Sequence, residues 1–247
     1  MCEVCGCSPS PSGATTASAR RVAIDVHAPL LADNDRRAQH LREHFLADGV
    51  LALNIMGSPG AGKTALLEAA AQALPARRLA AVSGDLATAL DAERLERAGI
   101  VSAPITTGSA CHLDAALVHD ALHDPRLAAA VHACDVFFIE NVGNLICPAI
   151  YDLGQAANVV VVSVTEGADK PLKYPVMFHR ADLVVLSKVD LLPHLPGVSL
   201  GAFRENLARV APAVKLLPLS ALSGAGVPEF AAWLEDGLAP SAAPRRP

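Results

Sequence analysis

The sequence predicts an α/β fold in which helices cover both faces of a mostly parallel central sheet. The first observation is a series of short apolar runs in which polar residues do not alternate. Such runs are typical of parallel strands that are buried on both faces. The second observation is that segments with helical spacing of apolar residues lie between these runs. Strands and helices that alternate along a chain favour a parallel sheet covered on both sides.

The apolar runs define the predicted strands. They are VLALNIM (50–56), LAAVSG (79–84), DVFFIE (135–140), NVVVVSV (158–164), DLVVLS (182–187) and VKLLPL (214–219). The predicted helices lie near 32–48, 62–74, 88–98, 112–123, 200–210 and 228–238. Because parallel sheets bind ligands at the C-terminal ends of their strands, functional residues are expected directly after the apolar runs.

Three regions are expected along the 247-residue chain. Residues 1–30 are predicted to be a flexible metal-binding tail and linker, because the polar stretch 8–20 cannot bury enough apolar surface to offset its ordering entropy. Residues 31–240 are predicted to be the folded domain, and residues 241–247 a disordered C-terminal tail.

The composition indicates which kinds of partner and which cellular compartment to expect. The formal net charge is −5 and no long basic run occurs, so nucleic acid is not an expected partner. No apolar run is long enough to span a membrane, and the N-terminus lacks the pattern of a secretory signal. A cytoplasmic location is therefore expected. Thiols stay reduced there, so clustered cysteines indicate metal or redox chemistry before disulfides.

A glycine-rich loop follows the first predicted strand and begins a predicted helix. It consists of Gly57, Ser58, Pro59, Gly60, Ala61, Gly62, Lys63 and Thr64, and it matches G-x-x-x-x-G-K-[ST] in full. In this motif backbone N–H groups surround the phosphates, the lysine reaches the β- and γ-phosphates, and the hydroxyl binds Mg²⁺. A chance glycine-rich turn is the alternative, and the strand–loop–helix context argues against it. The loop predicts a P-loop NTPase fold.

Two later strand ends indicate that the base is guanine. The Asp190 carboxylate can accept hydrogen bonds from the N1–H and the exocyclic amine of guanine, a donor pair that adenine lacks. The stem of Lys188 can lie against the base. Backbone N–H groups of the SAL stretch can meet the guanine O6; its residues are Ser220, Ala221 and Leu222. A solvated lysine and aspartate at a strand end is the alternative.

Acidic residues follow two other predicted strands, and we expect them to act near the γ-phosphate and the magnesium ion. Glu140 and Gly143 resemble the D-x-x-G element, whose glycine N–H meets the phosphate and whose acid helps to hold Mg²⁺. We predict Thr64, Asp85 and Glu140 as magnesium ligands. Asp85 or Asp91 could also position the attacking water, although Asp91 has the alternative of a solvated helix-surface acid.

Cysteines occur in two groups with different explanations. Cys111, His112 and Cys147 fall near the predicted switch segments, and thiolate with imidazole suits Zn²⁺ or Ni²⁺. This set is incomplete, so a second copy of the chain could complete it. A buried cysteine that acts as a small hydrophobe is the alternative, which we adopt for Cys134.

The N-terminal group consists of Cys2, Cys5 and Cys7, and packing cannot explain it. Three thiolates and the terminal amine suit planar Ni²⁺, although Zn²⁺ or Cu(I) would also bind, and a reactive unstructured tail is the alternative. The remaining histidines are interpreted as surface or core residues. They are His27, His40, His44, His119, His123, His132, His179 and His194.

Together these motifs resemble the HypB family of hydrogenase nickel-incorporation GTPases, a metal-site-maturation branch of the P-loop GTPases that also includes the urease accessory GTPases. The resemblance covers roughly residues 30–240 and the extreme N-terminus. Its most specific stretches are CEVCGC, GSPGAGKT, GDLATALDAER, TGSACHLDA, ENVGNLICP and TEGADKPLKYP. Ser187 departs from the usual asparagine of the N-K-x-D element, and no histidine-rich N-terminal stretch for nickel storage is present.

The resemblance implies a slow GTPase that uses Mg²⁺ and handles Ni²⁺ or Zn²⁺. It implies a homodimer promoted by GTP, with an interface metal site from Cys111, His112 and Cys147, and a tighter nickel site at the N-terminal cysteines. The implied partners are the zinc- and nickel-binding maturation protein HypA and the large subunit of nickel–iron hydrogenase. A urease-type maturation GTPase and a nickel storage or sensing protein with little GTPase activity are the alternatives.

Overall fold

The computed structural model describes residues 15–85, 89–108 and 110–239, with side chains from residue 31 onward. The predicted tail site at Cys2, Cys5 and Cys7 and the predicted tail at 241–247 lie outside the described residues. Internal contacts divide the chain between Asp33 and Asn34, and the packing described below concerns residues 34–239.

Seven strands form one sheet, in the order β3-β2-β4-β1-β5-β6-β7. The strands are β1 Leu51–Gly57, β2 Leu79–Asp85, β3 Val101–Thr106, β4 Val136–Glu140, β5 Ala157–Ser163, β6 Leu183–Ser187 and β7 Lys215–Pro218. Every neighbouring pair in this sheet is parallel. The predicted parallel α/β fold is confirmed.

Helices connect the strands. They are α1 Thr15–Ala47, α2 Lys63–Ala73, α3 Leu90–Arg97, α4 Ala115–Leu122, α5 Ala128–Val131, α6 Lys170–Lys173, α7 Pro175–His179, α8 Leu200–Val210 and α9 Val227–Leu238. Short 3-10 helices occupy Cys147–Ala149, Val164–Glu166 and Val189–His194. Within the described part of the chain, no helix is both long and apolar enough to cross a membrane.

Apolar side chains cover both faces of the sheet. Successive residues of a strand point to opposite faces. Thus Phe137 stacks on Phe45 of α1, with 5.4 Å between ring centroids, whereas Phe138 lies in the core cluster that contains Leu67 of α2. This two-sided burial explains why the central strands are apolar without alternation.

Two elements differ from the sequence-based expectation. The edge strand β3 was not predicted, because Pro104 interrupts its apolar pattern; proline is tolerated there since β3 pairs only with β2. Helix α1 begins at Thr15 rather than near residue 32, so the end of the predicted flexible stretch 8–20 is helical.

Candidate functional site: a phosphate loop joined to a thiol–imidazole cluster

The phosphate loop lies between β1 and α2, with Gly62 in the left-handed conformation at φ 96°. Lys63 is only 8% exposed, and its Nζ lies 3.4 Å from the carbonyl oxygens of Gly57 and Ser58. Burial lowers the pKa of Lys63, and the nearby Glu140 carboxylate opposes that shift. A bound polyphosphate would supply the negative charge that this buried ammonium needs.

Glu140 is the acid beside this lysine, and it is only 2% exposed. Its Oε1 accepts a hydrogen bond of 2.8 Å from Thr64 Oγ1, and its Oε2 accepts one of 3.3 Å from Ser83 Oγ. Burial raises the pKa of Glu140, and Lys63 opposes the rise. Hydroxyl and carboxylate oxygens are the ligands that Mg²⁺ prefers, so Thr64 and Glu140 fit the predicted magnesium site.

A cavity of about 490 Å³ opens above these residues. Asp85, Asp91, Gly143, Lys188 and the phosphate loop all contribute to its wall. Its volume falls within the range of small-molecule sites. The structure thus brings the residues predicted to act on phosphate and on magnesium into one cavity.

Arg94 is a cavity residue that the sequence analysis missed. It follows Asp91 by one helical turn, and its Nη1 lies 3.5 Å from Asp91 Oδ1. Its guanidinium also donates two hydrogen bonds to Glu68, at 2.7 and 3.0 Å. No motif marks an arginine at this position. Asp91 therefore faces the cavity and is also ion-paired on the helix surface.

Gly143 packs directly against the phosphate loop. A Cβ at this position would lie 2.7 Å from Pro59 Cγ and 2.8 Å from the Pro59 backbone nitrogen. The next residue, Asn144, forms an antiparallel bridge with Gly57. The segment predicted to sense the γ-phosphate is therefore in van der Waals contact with the loop predicted to hold the phosphates.

The end of β6, which carries part of the predicted base site, is bonded to the phosphate loop. Lys188 adopts φ 60° and its Nζ donates a 2.7 Å hydrogen bond to the Gly60 carbonyl. Ser187, which replaces the usual asparagine, donates its hydroxyl to the Ala61 carbonyl. Asp190 is half-buried at the start of the 3-10 helix that follows.

The structure corrects one part of the predicted base site. Ser220 is fully buried, and its backbone N–H donates a 2.8 Å hydrogen bond to the Ala225 carbonyl. That N–H is therefore not available to a guanine O6, because the turn of its own loop already uses it. Ala221 and Leu222 remain the candidates, and Leu222 is 89% exposed.

Cys111, His112 and Cys147 come together as predicted. Cys111 Sγ lies 3.0 Å from Cys147 Sγ and 3.7 Å from His112 Nδ1, and the ligand atoms all lie within 4.8 Å of one another. Both cysteines are free thiols. Zinc–sulfur bonds of about 2.3 Å would place two tetrahedral thiolates about 3.8 Å apart, so small side-chain rotations would suffice for binding.

The thiol and the imidazole of this cluster differ in their readiness to bind a metal, because the raised pKa keeps Cys147 protonated until a metal displaces its proton, whereas His112 is held neutral. The hydrogen bond with the Cys111 thiol raises the pKa of Cys147, and burial adds to the rise. Burial lowers the pKa of His112, against the opposing charge of Asp114, which favours the neutral imidazole that binds metals. The His112 ring is also stacked on Tyr151, with centroids 3.9 Å apart, so its orientation is fixed.

Asn144 connects the thiol–imidazole cluster to the phosphate loop. Its Nδ2 donates a 3.3 Å hydrogen bond to the Cys111 carbonyl, and its Oδ1 accepts a 2.9 Å bond from the Ile146 N–H, one residue before Cys147. Its backbone bridges to Gly57. No motif marks this residue in the sequence, and its position between Gly143 and Cys147 is the one signal that identifies it.

Comparisons with known proteins identify the family to which the chain belongs. The family model described as CobW/HypB/UreG, nucleotide-binding domain, matches residues 51–218. The hydrogenase maturation factor HypB of Rhizobium leguminosarum bv. viciae is 47% identical over 217 residues, covering 87% of this chain and 71% of that protein. A hydrogenase/urease maturation factor HypB of Helicobacter hepaticus is 44% identical over 187 residues, covering 76% of each protein.

A solved structure is similar along most of its length. The crystal structure of HypB from Helicobacter pylori in complex with nickel superposes with a TM-score of 0.79 at 38% sequence identity. The match covers 83% of this chain and 95% of that one.

Proposed function

Because the chain belongs to the CobW/HypB/UreG nucleotide-binding family, we propose that it is a GTP-hydrolysing nickel metallochaperone. Its client is the large subunit of nickel–iron hydrogenase, since its relatives are named hydrogenase maturation factors. The observation that carries the proposal is Asn144, which contacts the phosphate loop and the segments of both cysteines. Nucleotide state and metal site thereby share one hydrogen-bonded connection.

Hydrolysis in this proposal depends on positioning and charge, as in other phosphoryl transfers. Lys63 and the N–H groups of the phosphate loop bind the phosphates, and the Gly143 N–H contacts the γ-phosphate. Asp85 or Asp91 orients the attacking water. Thr64, Asp85 and Glu140 would hold Mg²⁺, which supplies neutralisation of the phosphate charge when bound.

The nucleotide state changes the metal site through the same contacts. A γ-phosphate against Gly143 fixes the loop, and its loss on hydrolysis frees Asn144 to move with it. Because Asn144 holds the Cys111 carbonyl and precedes Cys147, the spacing of the two thiols changes with the nucleotide. Coupling of this kind is reciprocal, so nickel must change nucleotide affinity by the same factor.

A second copy of the chain completes the nickel or zinc site in this proposal. Cys111, His112 and Cys147 offer three ligands, whereas borderline divalent ions take four or more. Ile146 and Ile150 flank Cys147 and are 59% and 47% exposed, which suits burial against another protomer. HypA, which would exchange metal, and the hydrogenase large subunit are the proposed further partners.

Nickel titration tests the coupling. The variant with Cys2, Cys5 and Cys7 changed to alanine isolates the site on the folded domain. We expect its nickel dissociation constant to differ at least about 5-fold between GDP and a non-hydrolysable GTP analogue, the lower end of usual allosteric coupling. Asn144→Ala should reduce that difference, whereas Asn206→Ala, an amide that bonds the Ala168 carbonyl, should leave it intact.

Equal nickel affinity in both nucleotide states would contradict the coupling. If turnover were also negligible, the nickel storage or sensing alternative would replace the proposal. If the alanine substitutions of the tail cysteines left total nickel binding unchanged, the proposed tighter site at the N-terminus would be wrong.

Asp190→Asn tests the choice of guanine. An asparagine keeps one acceptor for N1–H, but its amide N–H₂ faces the exocyclic amine of guanine. Two charge-assisted hydrogen bonds are weakened, so GTP affinity should fall about 100-fold or more. Xanthosine triphosphate carries a carbonyl where guanine has the amine, and it should bind the variant better than GTP does.

Asp236→Asn, on the exposed face of α9, is the control and should change neither affinity. Unchanged preference for GTP in the Asp190 variant would remove this residue from the base site.

Urease is the second candidate client. The observation in its favour is that the Helicobacter hepaticus relative is named for both hydrogenase and urease maturation. Purification of the tagged chain from cells that make both enzymes decides between the clients, because the bound subunit identifies the pathway.

A further inference from the structure

A second group of metal-ligating side chains lies apart from the site described above. We propose that His44, Asp48 and His132 form a binding site for a divalent transition-metal ion of the Zn²⁺ or Ni²⁺ class. The inference is independent of the nucleotide and does not require the proposed function. It revises our interpretation of His44 and His132 as ordinary surface or core histidines.

The distances among the three groups suit one small ion. His132 Nδ1 lies 2.8 Å from Asp48 Oδ2, and His44 Nδ1 lies 3.6 Å from the same oxygen. The ligand atoms of all three residues lie within 4.8 Å of one another. Tetrahedral ligands at bond lengths of about 2.0–2.1 Å are about 3.3–3.4 Å apart, a value between the two observed separations.

One ligand atom has no hydrogen-bond partner among the described residues. His44 Nδ1 is buried from solvent, and its 3.6 Å separation from Asp48 is too long for a hydrogen bond. Buried polar nitrogens are almost always satisfied, so this atom needs a partner. A cation held between Asp48 and His132 would provide one.

The ligands are carried by well-fixed backbone. His44 lies in the last turn of α1, where Phe45 is 2% exposed and stacks on Phe137 of β4. Asp48 follows one turn later, and its backbone N–H donates a 3.1 Å hydrogen bond to the His44 carbonyl. His132 caps the C-terminal end of α5. Little ordering entropy would therefore be lost on binding.

The donor set selects the class of ion. Two imidazoles and one carboxylate suit Zn²⁺ or Ni²⁺, whereas Mg²⁺ and Ca²⁺ prefer oxygen ligands alone. A metal ion on His132 Nδ1 would replace the proton that this nitrogen donates to Asp48, and the neutral imidazole would then carry its proton on Nε2. His132 is 58% exposed, so water can reach the ion and take the remaining position.

Further imidazoles approach this cluster along α1 and α4. His123 and His119 rings are 4.9 Å apart, and His119 and His40 rings are 6.1 Å apart. His40 precedes His44 by one helical turn, a separation of about 5–6 Å. The row would raise the local concentration of soft cations beside the site. Helix α4, which contains His119 and ends one residue before His123, begins three residues after His112 of the thiol–imidazole cluster.

Equilibrium dialysis against Zn²⁺ tests the proposal in the full chain. The parent variant has Cys2, Cys5, Cys7, Cys111 and Cys147 changed to alanine, so that thiolate sites no longer compete. We expect one residual Zn²⁺ equivalent, with only nitrogen and oxygen neighbours by X-ray absorption. His132→Ala and Asp48→Asn should each remove that equivalent. His179→Ala, an exposed histidine of α7, should retain it.

Three results would overturn the proposal. These are no residual equivalent in the parent variant, an equivalent that survives both His132→Ala and Asp48→Asn, and equal loss in the His179 control. Thermal unfolding without metal separates binding from folding, because the exposed His132 can be replaced without opening the core. The expected change in unfolding temperature between the parent and His132→Ala is small without Zn²⁺ and clear with it.

Discussion

Lys63→Ala should lower GTP turnover by at least about 100-fold, the loss that follows when one preorganised charge or donor is removed from a reacting oxygen. The side chain reaches the proposed phosphate position from within the loop, and its ammonium is buried beside Glu140. Among the described residues of the cavity wall, Lys188 is the other lysine, and its Nζ bonds the Gly60 carbonyl instead. Steady-state release of phosphate measures the effect.

The same variant should show a second effect, on thermal stability, which differs with and without nucleotide. Burial lowers the pKa of Lys63, which means that the charged ammonium is less favourable in the folded protein than in water. Its removal should therefore leave the thermal stability of the free protein nearly unchanged, while the stabilisation given by GTP falls. Lys215→Ala, at the exposed start of β7, is the matched control and should keep full turnover. Normal turnover in Lys63→Ala would contradict the assignment of the phosphate loop.

Gly143→Ala should lower turnover by about 10- to 100-fold and also remove the dependence of nickel affinity on nucleotide. The new methyl group would lie 2.7 Å from Pro59 Cγ and 2.8 Å from the Pro59 backbone nitrogen. The segment that contains Gly143 must therefore move away from the phosphate loop. Misplacement of about 1 Å at a reacting centre can cost a factor of this size. GDP should still bind, since the phosphate loop and Asp190 are unaltered.

Gly201→Ala is the control for this substitution. Its new methyl group would meet nothing nearer than Ser199 Oγ at 3.9 Å, and α8 should gain about 0.5–1 kcal/mol from the better helix former. Phosphate release and nickel titration are run on both variants. If Gly143→Ala kept full turnover and its nucleotide-sensitive nickel affinity, the segment from Glu140 to Gly143 would not be the part of the chain that senses the γ-phosphate.

The elements predicted best are those whose sequence follows from burial alone. Strands β1, β4 and β5 are apolar on both faces, and the phosphate loop is set by a motif with a fixed spacing. Strand β3 escaped prediction because Ser102 and Pro104 break its pattern, although Ser102 is satisfied by the Ala92 carbonyl at 2.7 Å. That contact depends on packing and has no signature in the sequence.

The site shows the same division between local and tertiary information. Cys111 and His112 are adjacent in sequence, and Cys147 follows a recognisable segment, so their assembly could be predicted. His132 and Asp48 are separated by 84 positions, and only the fold brings them together. Asn144 and Arg94 act through geometry that residue type alone does not reveal.

The hydrogen bonds from Lys188 and Ser187 to the phosphate loop have a consequence for nucleotide release. Both tie the end of β6 to carbonyls of that loop, at Gly60 and Ala61. These two hydrogen bonds couple the predicted base site to the phosphate loop, so we expect the two to move together. Displacement of β6 from the loop should then weaken the contacts to base and phosphates at once and hasten the release of GDP.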